Sequence, residues 1–384
     1  MSQKEIEEQQ RKILFARFQE GTLLPDMNAV YIKEKTAKPA ESAESVPYDY
    51  QFDFKYLLGN YYKAYRGDGY YNDKKAGCAE IKELEGENIS APYPILLWYI
   101  YKEIDKKENI PFDCDSWNGS NDLMDEIYDR LWRNKMNKWG CSSSRDKFGG
   151  DTMNSFATTF NAFSGKESYE ESFDDCKEKN KSYDVLREYA ELTGCLGNFV
   201  LVPKGFSGYR GPAGTIRDYW DLSLHELRCD RSGQGWLDQV DMPFNKYINL
   251  FFLWDYVSGK KNGGYRARPL FKSHEAILMR EKMVLPRKAD EEGASDDFSE
   301  FTKKVNRCIL RRGAFMSTML RISAEDSDSY DNIVEYLATD ASLGSMEDVI
   351  KQLKDRPLDK EAKGFLSKLS EELKEIDQPS EKNT

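Results

Sequence analysis

The sequence predicts a mainly α fold with a small β component. Apolar residues recur at helical spacing through most of the 384-residue chain. One short uninterrupted apolar run, "NFVLV" at 198–202, is instead typical of a strand. Because 39% of the residues are hydrophobic, the chain has enough apolar surface to bury a substantial core. We therefore expect a helical core around a central apolar helix, with a helical appendage at the C-terminal side.

The composition changes twice along the chain, and these changes predict three regions. An amphipathic helix is expected at 3–20, and residues 33–47 carry the Ala, Ser, Glu and Pro bias of a linker. Beyond Ile322 the chain becomes polar and acidic. The predicted regions are an N-terminal helix and linker at 1–47, a mainly helical core domain at 48–322 and an acidic helical C-terminal appendage at 323–384.

Start and stop signals of helices divide the rest of the chain. Periodic segments with capping residues predict helices at 92–107, 120–140 and 182–194. Segment 244–258 is apolar on nearly every side, which predicts the central helix of the core. A long helix is predicted at 297–322 and three short ones within 328–376, the second opened by a capping box from Ser345 to Asp348.

Composition excludes several classes of function. A net charge of −11 repels nucleic acids and anionic membranes, so either would need a local basic patch. The seven cysteines are scattered without a C-x-x-C pair, and His225 and His274 are the only histidines, which excludes a histidine-rich metal site. No cofactor or metal is predicted. With no signal-peptide pattern and no apolar run of about 18 residues, we expect a cytoplasmic protein without a membrane span.

One basic segment departs from the acidic average. Residues 259–288 hold nine Lys or Arg side chains against Glu275 and Glu281. Such a run is usually a solvated surface, and that interpretation is favoured. Nucleic-acid binding through this segment, with Tyr265 beside the cations for stacking, is the alternative.

A first weakly charged window, residues 151–165, contains Asp151 as its only charged residue. Its phenylalanines and Met153 recur at helical spacing, so we expect a helix over 151–164 with Asp151 as its N-cap. The other face carries small hydrogen-bonding side chains, among them Asn154, Ser155 and Thr158. Two interpretations stay open: this face lines a polar cavity, or the helix is packed on both sides.

A second weakly charged window, 193–216, has Lys204 and Arg210 as its only charged residues. It runs from the predicted strand into a loop with a glycine at every third position, but neither phosphate-binding glycine motif occurs there. A capping box at Ser223 predicts that the next helix begins at that residue. Asp218 and Asp221 would then precede the helix, where its amide groups stabilise carboxylates. Cation binding, or orientation of Lys204, Arg210 or Arg217, is the less favoured alternative for these two carboxylates.

Four phrases of the sequence form a recognisable set: "GDTMNSFATTFNAF", "LGNFVLVPKGFSGYRG" followed by "RDYWDLSL", and "FNKYINLFFLWDYV". Together they resemble an uncharacterised family of bacterial proteins known as a domain of unknown function. The resemblance covers about residues 48–322 and implies a bacterial, cytoplasmic, mainly helical protein. It brings no established activity, so no catalytic residue is carried over. Ser207 stands where the family pattern leads us to expect Asn.

Three functions remain open from the sequence. The favoured one is binding or regulation, through a polar cavity between helix 151–164 and loop 203–221. The second is an enzyme for a phosphorylated or nucleotide substrate, and the third is nucleic-acid binding. A small ligand and a protein partner at the C-terminal appendage are both expected interactions. The candidate binding residues are Asp151, Asn154, Ser155, Thr158, Lys204, Arg210, Arg217, Asp218 and Asp221.

Overall fold

A computed structural model of the chain describes residues 127–136, 144–154, 189, 192–210, 219–259, 263–270 and 294–378. The predicted elements at 3–20, 33–47 and 92–107, and most of the helix at 182–194, lie outside these residues. Within them the fold is mainly α with two small antiparallel sheets, as the sequence predicts.

Six helices and four strands carry the described architecture. The helices are α1 (Trp220–Cys229), α2 (Phe244–Leu250), α3 (Ala294–Glu325), α4 (Ser327–Leu337), α5 (Met346–Lys354) and α6 (Lys360–Asp377). The strands are β1 (Phe148–Thr152), β2 (Phe199–Pro203), β3 (Val257–Ser258) and β4 (Arg266–Ala267). Single helical turns occur at Asp129–Arg133, Asn134–Met136, Ser144–Lys147, Leu196–Asn198, Phe206–Tyr209, Asp238–Val240 and Trp254–Tyr256.

The first sheet confirms the predicted strand and corrects the helix expected beside it. All five residues of β2 are buried, and β2 pairs with β1 in an antiparallel register that places Asp151 opposite Val200 and Thr152 opposite Phe199. The predicted start of a helix at Asp151, with this residue as N-cap, is therefore wrong. A buried apolar strand needs a partner for its backbone groups, and this pairing overrides the local helical spacing.

Helix α1 begins earlier than predicted. Its N-cap is Tyr219, so Ser223 lies inside the helix, where its hydroxyl donates to the Tyr219 carbonyl at 3.0 Å. Glu226 accepts from the backbone of Ser232 at 3.0 Å instead of closing a capping box. The predicted start at Ser223 is wrong, and Asp221 lies in the first turn of the helix rather than before it.

The segment predicted as a central helix, 244–258, is buried but not continuously helical. Helix α2 ends at Leu250, and Phe252 then adopts a left-handed backbone with φ 59°. A bulky residue in this conformation ends the helix. The chain continues through the turn Trp254–Tyr256 into β3. The central position is supported by its burial, while the predicted helix length is wrong.

Helix α3, with 32 residues, is the long helix that the sequence predicts, and it packs against α4, α6 and the turn Leu196–Asn198. The three C-terminal helices are also confirmed, and Ser345 forms the predicted capping box with Asp348. Their apolar residues join the same hydrophobic core as those of α3. The domain boundaries stay a prediction. No helix within the described residues is both long and apolar enough to cross a membrane.

The contact between α3 and the turn before β2 is unusually close. A Cβ atom on Gly197 would lie 1.9 Å from the backbone oxygen of Ile309, so only glycine fits there. Beside this contact the buried Arg312 side chain donates to the carbonyls of Gly197 at 2.9 Å, Phe199 at 2.7 Å and Phe251 at 2.9 Å. These bonds tie α3 to the end of α2 and to the start of β2.

Candidate functional site

Two of the predicted site residues form a buried ion pair. Arg210, with only 3% of its surface exposed, donates to Asp151 at 2.6 Å and to the carbonyl of Thr152 at 2.8 Å. Its guanidinium lies 5.2 Å from the ring centre of Trp220. Arg210 therefore links the end of β1 to Trp220 at the start of α1. This link gives the charges of Asp151 and Arg210 a structural role.

Asn154 belongs to a second buried polar group. Its backbone amide donates to Asn198 Oδ1 at 3.0 Å, and Asn198 Nδ2 returns a bond to the Asn154 carbonyl at 3.0 Å. The Asn154 side chain also donates to the hydroxyl of Tyr256 at 3.2 Å. The exchange holds the chain just after β1 against the turn that precedes β2.

The remaining predicted residues are spread out. Asp221 is buried and accepts from the backbone of Leu222 at 3.0 Å and of Leu270 at 2.9 Å, which fastens α1 to the segment after β4. Lys204 is exposed. Ser155, Thr158, Arg217 and Asp218 lie outside the described residues. The polar cavity predicted between 151–164 and 203–221 therefore stays a prediction.

A pocket of about 520 Å³ lies elsewhere, between the β3–β4 sheet, one face of α3 and the start of α5. We call it the junction pocket. Its described lining consists of Trp254, Asp255, Val257, Ser258, Gly259, Arg268, Pro269, Leu270, Lys304, Arg307, Cys308, Arg311, Gly344, Ser345 and Glu347. The sequence analysis did not predict it, since its walls come from segments far apart in the chain.

The lining is divided between apolar and cationic groups. Trp254, Val257 and Leu270 are core residues with 2%, 7% and 1% exposure, and they supply apolar surface. Helix α3 contributes Lys304, Arg307 and Arg311, whose spacing of three and then four residues places them on one helix face. Arg268 adds a fourth cation from the segment after β4.

Arg311 is the centre of a buried ion network at this pocket. Its side chain is 3% exposed and pairs with Asp255 at 2.8 Å, with Asp377 at 2.7 Å and with Glu347. Burial lowers the pKa of Arg311, but the Asp255 and Glu347 carboxylates outweigh burial and hold the pKa above its ordinary value. Arg311 therefore stays charged and connects the pocket wall to α5 and to the end of α6.

Two carboxylates of this network, Asp255 and Glu347, have pKa values that are shifted in opposite directions. Burial raises the pKa of Asp255, although Arg311 opposes the rise. Burial also acts to raise the pKa of Glu347, but hydrogen bonding to Arg311 outweighs it and the net pKa is lowered. Asp255 therefore depends more than Glu347 does on Arg311 for remaining ionised.

The outer cations of the pocket are held less firmly than Arg311. Lys304 pairs with Glu300 at 2.6 Å and Arg307 with Asp377 at 2.7 Å, with about half of each cationic side chain exposed. Arg268 is exposed and donates to the backbone carbonyl of Asp255. Exposed ion pairs contribute little free energy, so a ligand anion could compete for these three cations.

The described lining offers little for catalysis. Burial raises the pKa of the Cys308 thiol to about 12, so the thiolate needed for nucleophilic attack is scarce at neutral pH. Asp255 and Glu347 are occupied by Arg311, and no histidine is among the described lining residues.

Metal binding was the other possibility for a site. Within the described stretches, no group of three or more His, Cys, Asp or Glu side chains is arranged to hold a metal ion.

Comparisons with protein-family models, curated proteins and solved structures found no match to the chain. The resemblance to an uncharacterised bacterial family therefore stays a prediction.

One local signal of the junction pocket is visible in the sequence. Within the predicted helix 297–322, Lys304, Arg307 and Arg311 form a basic stripe at helical spacing. A stripe of this kind normally marks a solvated helix face. The opposite wall of the junction pocket, around Arg268, lies in the basic segment 259–288. That segment stood out in the sequence as an alternative nucleic-acid-binding surface.

Proposed function

We propose that the protein binds a small ligand in the junction pocket and that binding, rather than catalysis, is its role there. The observation that carries this proposal is a concave site of about 520 Å³ that combines apolar surface with cationic side chains from several elements. Ligand sites in proteins are typically concavities of this size, lined mainly by apolar groups with a few placed polar ones.

The environment of the reactive groups supports binding over catalysis. Cys308 is buried with a raised pKa, and the lining carboxylates are engaged with Arg311. General acid–base catalysis requires a group whose pKa lies near the working pH and whose proton is within reach of a substrate. Among the described lining residues, Asp255 has a raised pKa, but its carboxylate is engaged by Arg311.

A regulatory role is supported by the way the pocket connects to the C-terminal helices. Glu347 lies in the first turn of α5 and Asp377 at the end of α6, and both pair with Arg311 on the pocket wall. A ligand beside Arg311 would therefore change the electrostatic surroundings of both helices. A protein partner at the acidic C-terminal helices would be placed to respond to that change.

The two alternatives from the sequence have less support. For an enzyme, the described candidates Arg210 and Asp221 bond to separate parts of the backbone, and Lys204 is exposed. For nucleic-acid binding, Arg266 and Arg268 are the members of the basic group in 259–288 that lie within the described residues, and both are exposed. Arg268 lines the junction pocket, where a concave site favours a small molecule.

The proposal is tested by thermal unfolding with a panel of phosphorylated, carboxylated and neutral metabolites. A ligand that binds only the folded state raises the unfolding temperature, and the rise grows with the logarithm of its concentration once this exceeds the dissociation constant. In the variant Ser258→Trp, the exposed Ser258 on the pocket wall is replaced by a bulky residue that strands tolerate, so the shift should disappear. The control is Ser207→Trp, an exposed serine in the loop of the other predicted cavity. A shift lost only in the control would place the ligand outside the junction pocket.

A further inference from the structure

We infer that the ligand of the junction pocket is a compact organic anion with an apolar body, held by its negative group at Arg268, Lys304 and Arg307. This inference rests on the proposed function, because it assumes that the junction pocket binds a small molecule. It adds the chemical class of that molecule.

The apolar body is indicated by the inner part of the pocket. Trp254, Val257 and Leu270 belong to the hydrophobic core and also line the pocket, together with Pro269. Burying apolar ligand surface against them would remove that surface from water, which favours binding. A purely ionic ligand, such as free phosphate, would leave this surface in contact with water.

The negative group is indicated by the balance of charges. The described lining has four cationic side chains against two carboxylates, and both carboxylates are paired with Arg311. The cations at Arg268, Lys304 and Arg307 are the ones with solvent exposure. They are therefore accessible to a ligand, while Arg311 keeps its pairs with Asp255 and Glu347.

Charge also limits the size of the anion. Glu300 pairs with Lys304, Asp377 with Arg307 and Glu347 with Arg311. These carboxylates would repel the further phosphates of an extended polyanion. The chain as a whole carries a net charge of −11, which adds to that repulsion. One or two negative charges on a compact molecule match the pocket better than a nucleic acid does.

Two fluorescent probes test this class directly. 1-Anilinonaphthalene-8-sulfonate and N-phenyl-1-naphthylamine share the same aromatic body, and only the first carries a sulfonate. A charge-assisted hydrogen bond contributes enough that the sulfonate probe should bind about tenfold more tightly in a fluorescence titration. Added salt should weaken the binding of the sulfonate probe and leave the neutral probe nearly unchanged, because salt screens only the charged interaction.

Variants of the outer cations separate charge from shape. Arg268→Gln and Arg307→Gln should each weaken the sulfonate probe by about tenfold and leave the neutral probe unchanged. Arg268→Lys, which keeps the charge, should retain part of the affinity. The matched control is Lys303→Gln, because Lys303 is exposed on the same helix, adjacent to Lys304, and is not part of the described lining. Thermal unfolding verifies that each variant is folded.

The outcomes distinguish this inference from the proposed function. Equal affinities for the two probes, both lost in Ser258→Trp, would overturn the anionic class while leaving a ligand pocket in place. Probe binding that is insensitive to Ser258→Trp would overturn both the proposed site and the inference. A preference for the sulfonate probe that is lost in Arg268→Gln but kept in Lys303→Gln is the expected result.

Discussion

Arg311 and Arg312 are adjacent on α3, yet they serve two different regions of the molecule. Arg312 faces the sheet and donates to three backbone carbonyls in the core. Arg311 faces the junction pocket and pairs with three carboxylates from three different elements. Adjacent residues on a helix point in different directions. Arg312 therefore stabilises the core, while Arg311 links the elements around the junction pocket.

The charges of the two arginines respond to these surroundings in opposite directions. Burial lowers the pKa of Arg312 to about 10, since within the described residues no carboxylate pairs with it. The pKa of Arg311 is raised, because its carboxylates outweigh burial. Arg311 and Arg312 each donate three hydrogen bonds, so the number of hydrogen bonds alone does not define the role of a buried arginine. The charge of its partners distinguishes an arginine that stabilises the core from one that links separate elements.

The largest expected effect comes from removing the arginine that stabilises the core. Arg312→Met would remove three hydrogen bonds from a charged donor to buried carbonyls, at about 1.5–3 kcal/mol each, partly offset by relief of the buried charge. We expect the free energy of unfolding to fall by about 4 kcal/mol, measured by urea denaturation. A loss below that of Arg311→Met would contradict the distinction between the two arginines.

The second-largest effect is expected at Gly197, where a substitution disturbs the packing of α3 without changing a charge. Gly197→Ala would place a Cβ against the backbone of Ile309 and displace the helix, so we expect about 3 kcal/mol of destabilisation. Gly208→Ala is the control, because a Cβ there meets no atom within 4 Å. Urea denaturation should show little change for the control. Equal stabilities of the two variants would mean that the helix is free to move away from the turn.

On the pocket face, Arg311→Met should cost about 2 kcal/mol near neutral pH, less than a fully buried pair because Glu347 and Asp377 are partly exposed. The lowered pKa of Glu347 stabilises the native protein above the unfolded pKa, and this contribution is lost as the pH falls. Without Arg311, the already raised pKa of Asp255 rises further, so protonation relieves the variant in acid. The difference in unfolding free energy should therefore shrink as the pH falls from neutrality through the acid range in which these two carboxylates protonate. A difference that grows in acid would contradict this network.

The smallest effect is expected at the outer end of the same network. Asp377→Asn weakens the contacts to Arg307 and Arg311 but keeps the shape of the side chain, so we expect about 1 kcal/mol or less. Raising the salt concentration should reduce the difference from the native protein, because the pair with Arg307 is exposed to solvent. Thermal unfolding at low and high salt measures it. A salt-independent loss would indicate that the carboxylate is effectively buried.

Local sequence signals predict those elements whose stability is local. Helix α3 and the three helices after it have apolar periodicity and capping residues, and the capping box from Ser345 to Asp348 forms as predicted. The strand Phe199–Pro203 is likewise marked by its uninterrupted apolar run. In these segments, propensity and tertiary packing favour the same structure.

The errors occur where a distant partner decides. Asp151 and Thr152 form a strand because β2 pairs with them, and Ser223 lies inside a helix that starts at Trp220. The junction pocket has the same origin, since Asp255 and Glu347 are brought together at Arg311, which lies on a third segment. Periodicity and capping rules consider neighbours along the chain, so they do not detect such encounters.

The absent side chain of Gly197 has a consequence beyond stability. The glycine sets how near α3 approaches the sheet, and an adjacent face of that helix forms a wall of the junction pocket. The width of the pocket is therefore governed partly by a residue outside its described lining. If the junction pocket binds the proposed ligand, substitutions in the turn before β2 would alter the size of molecule that it accepts.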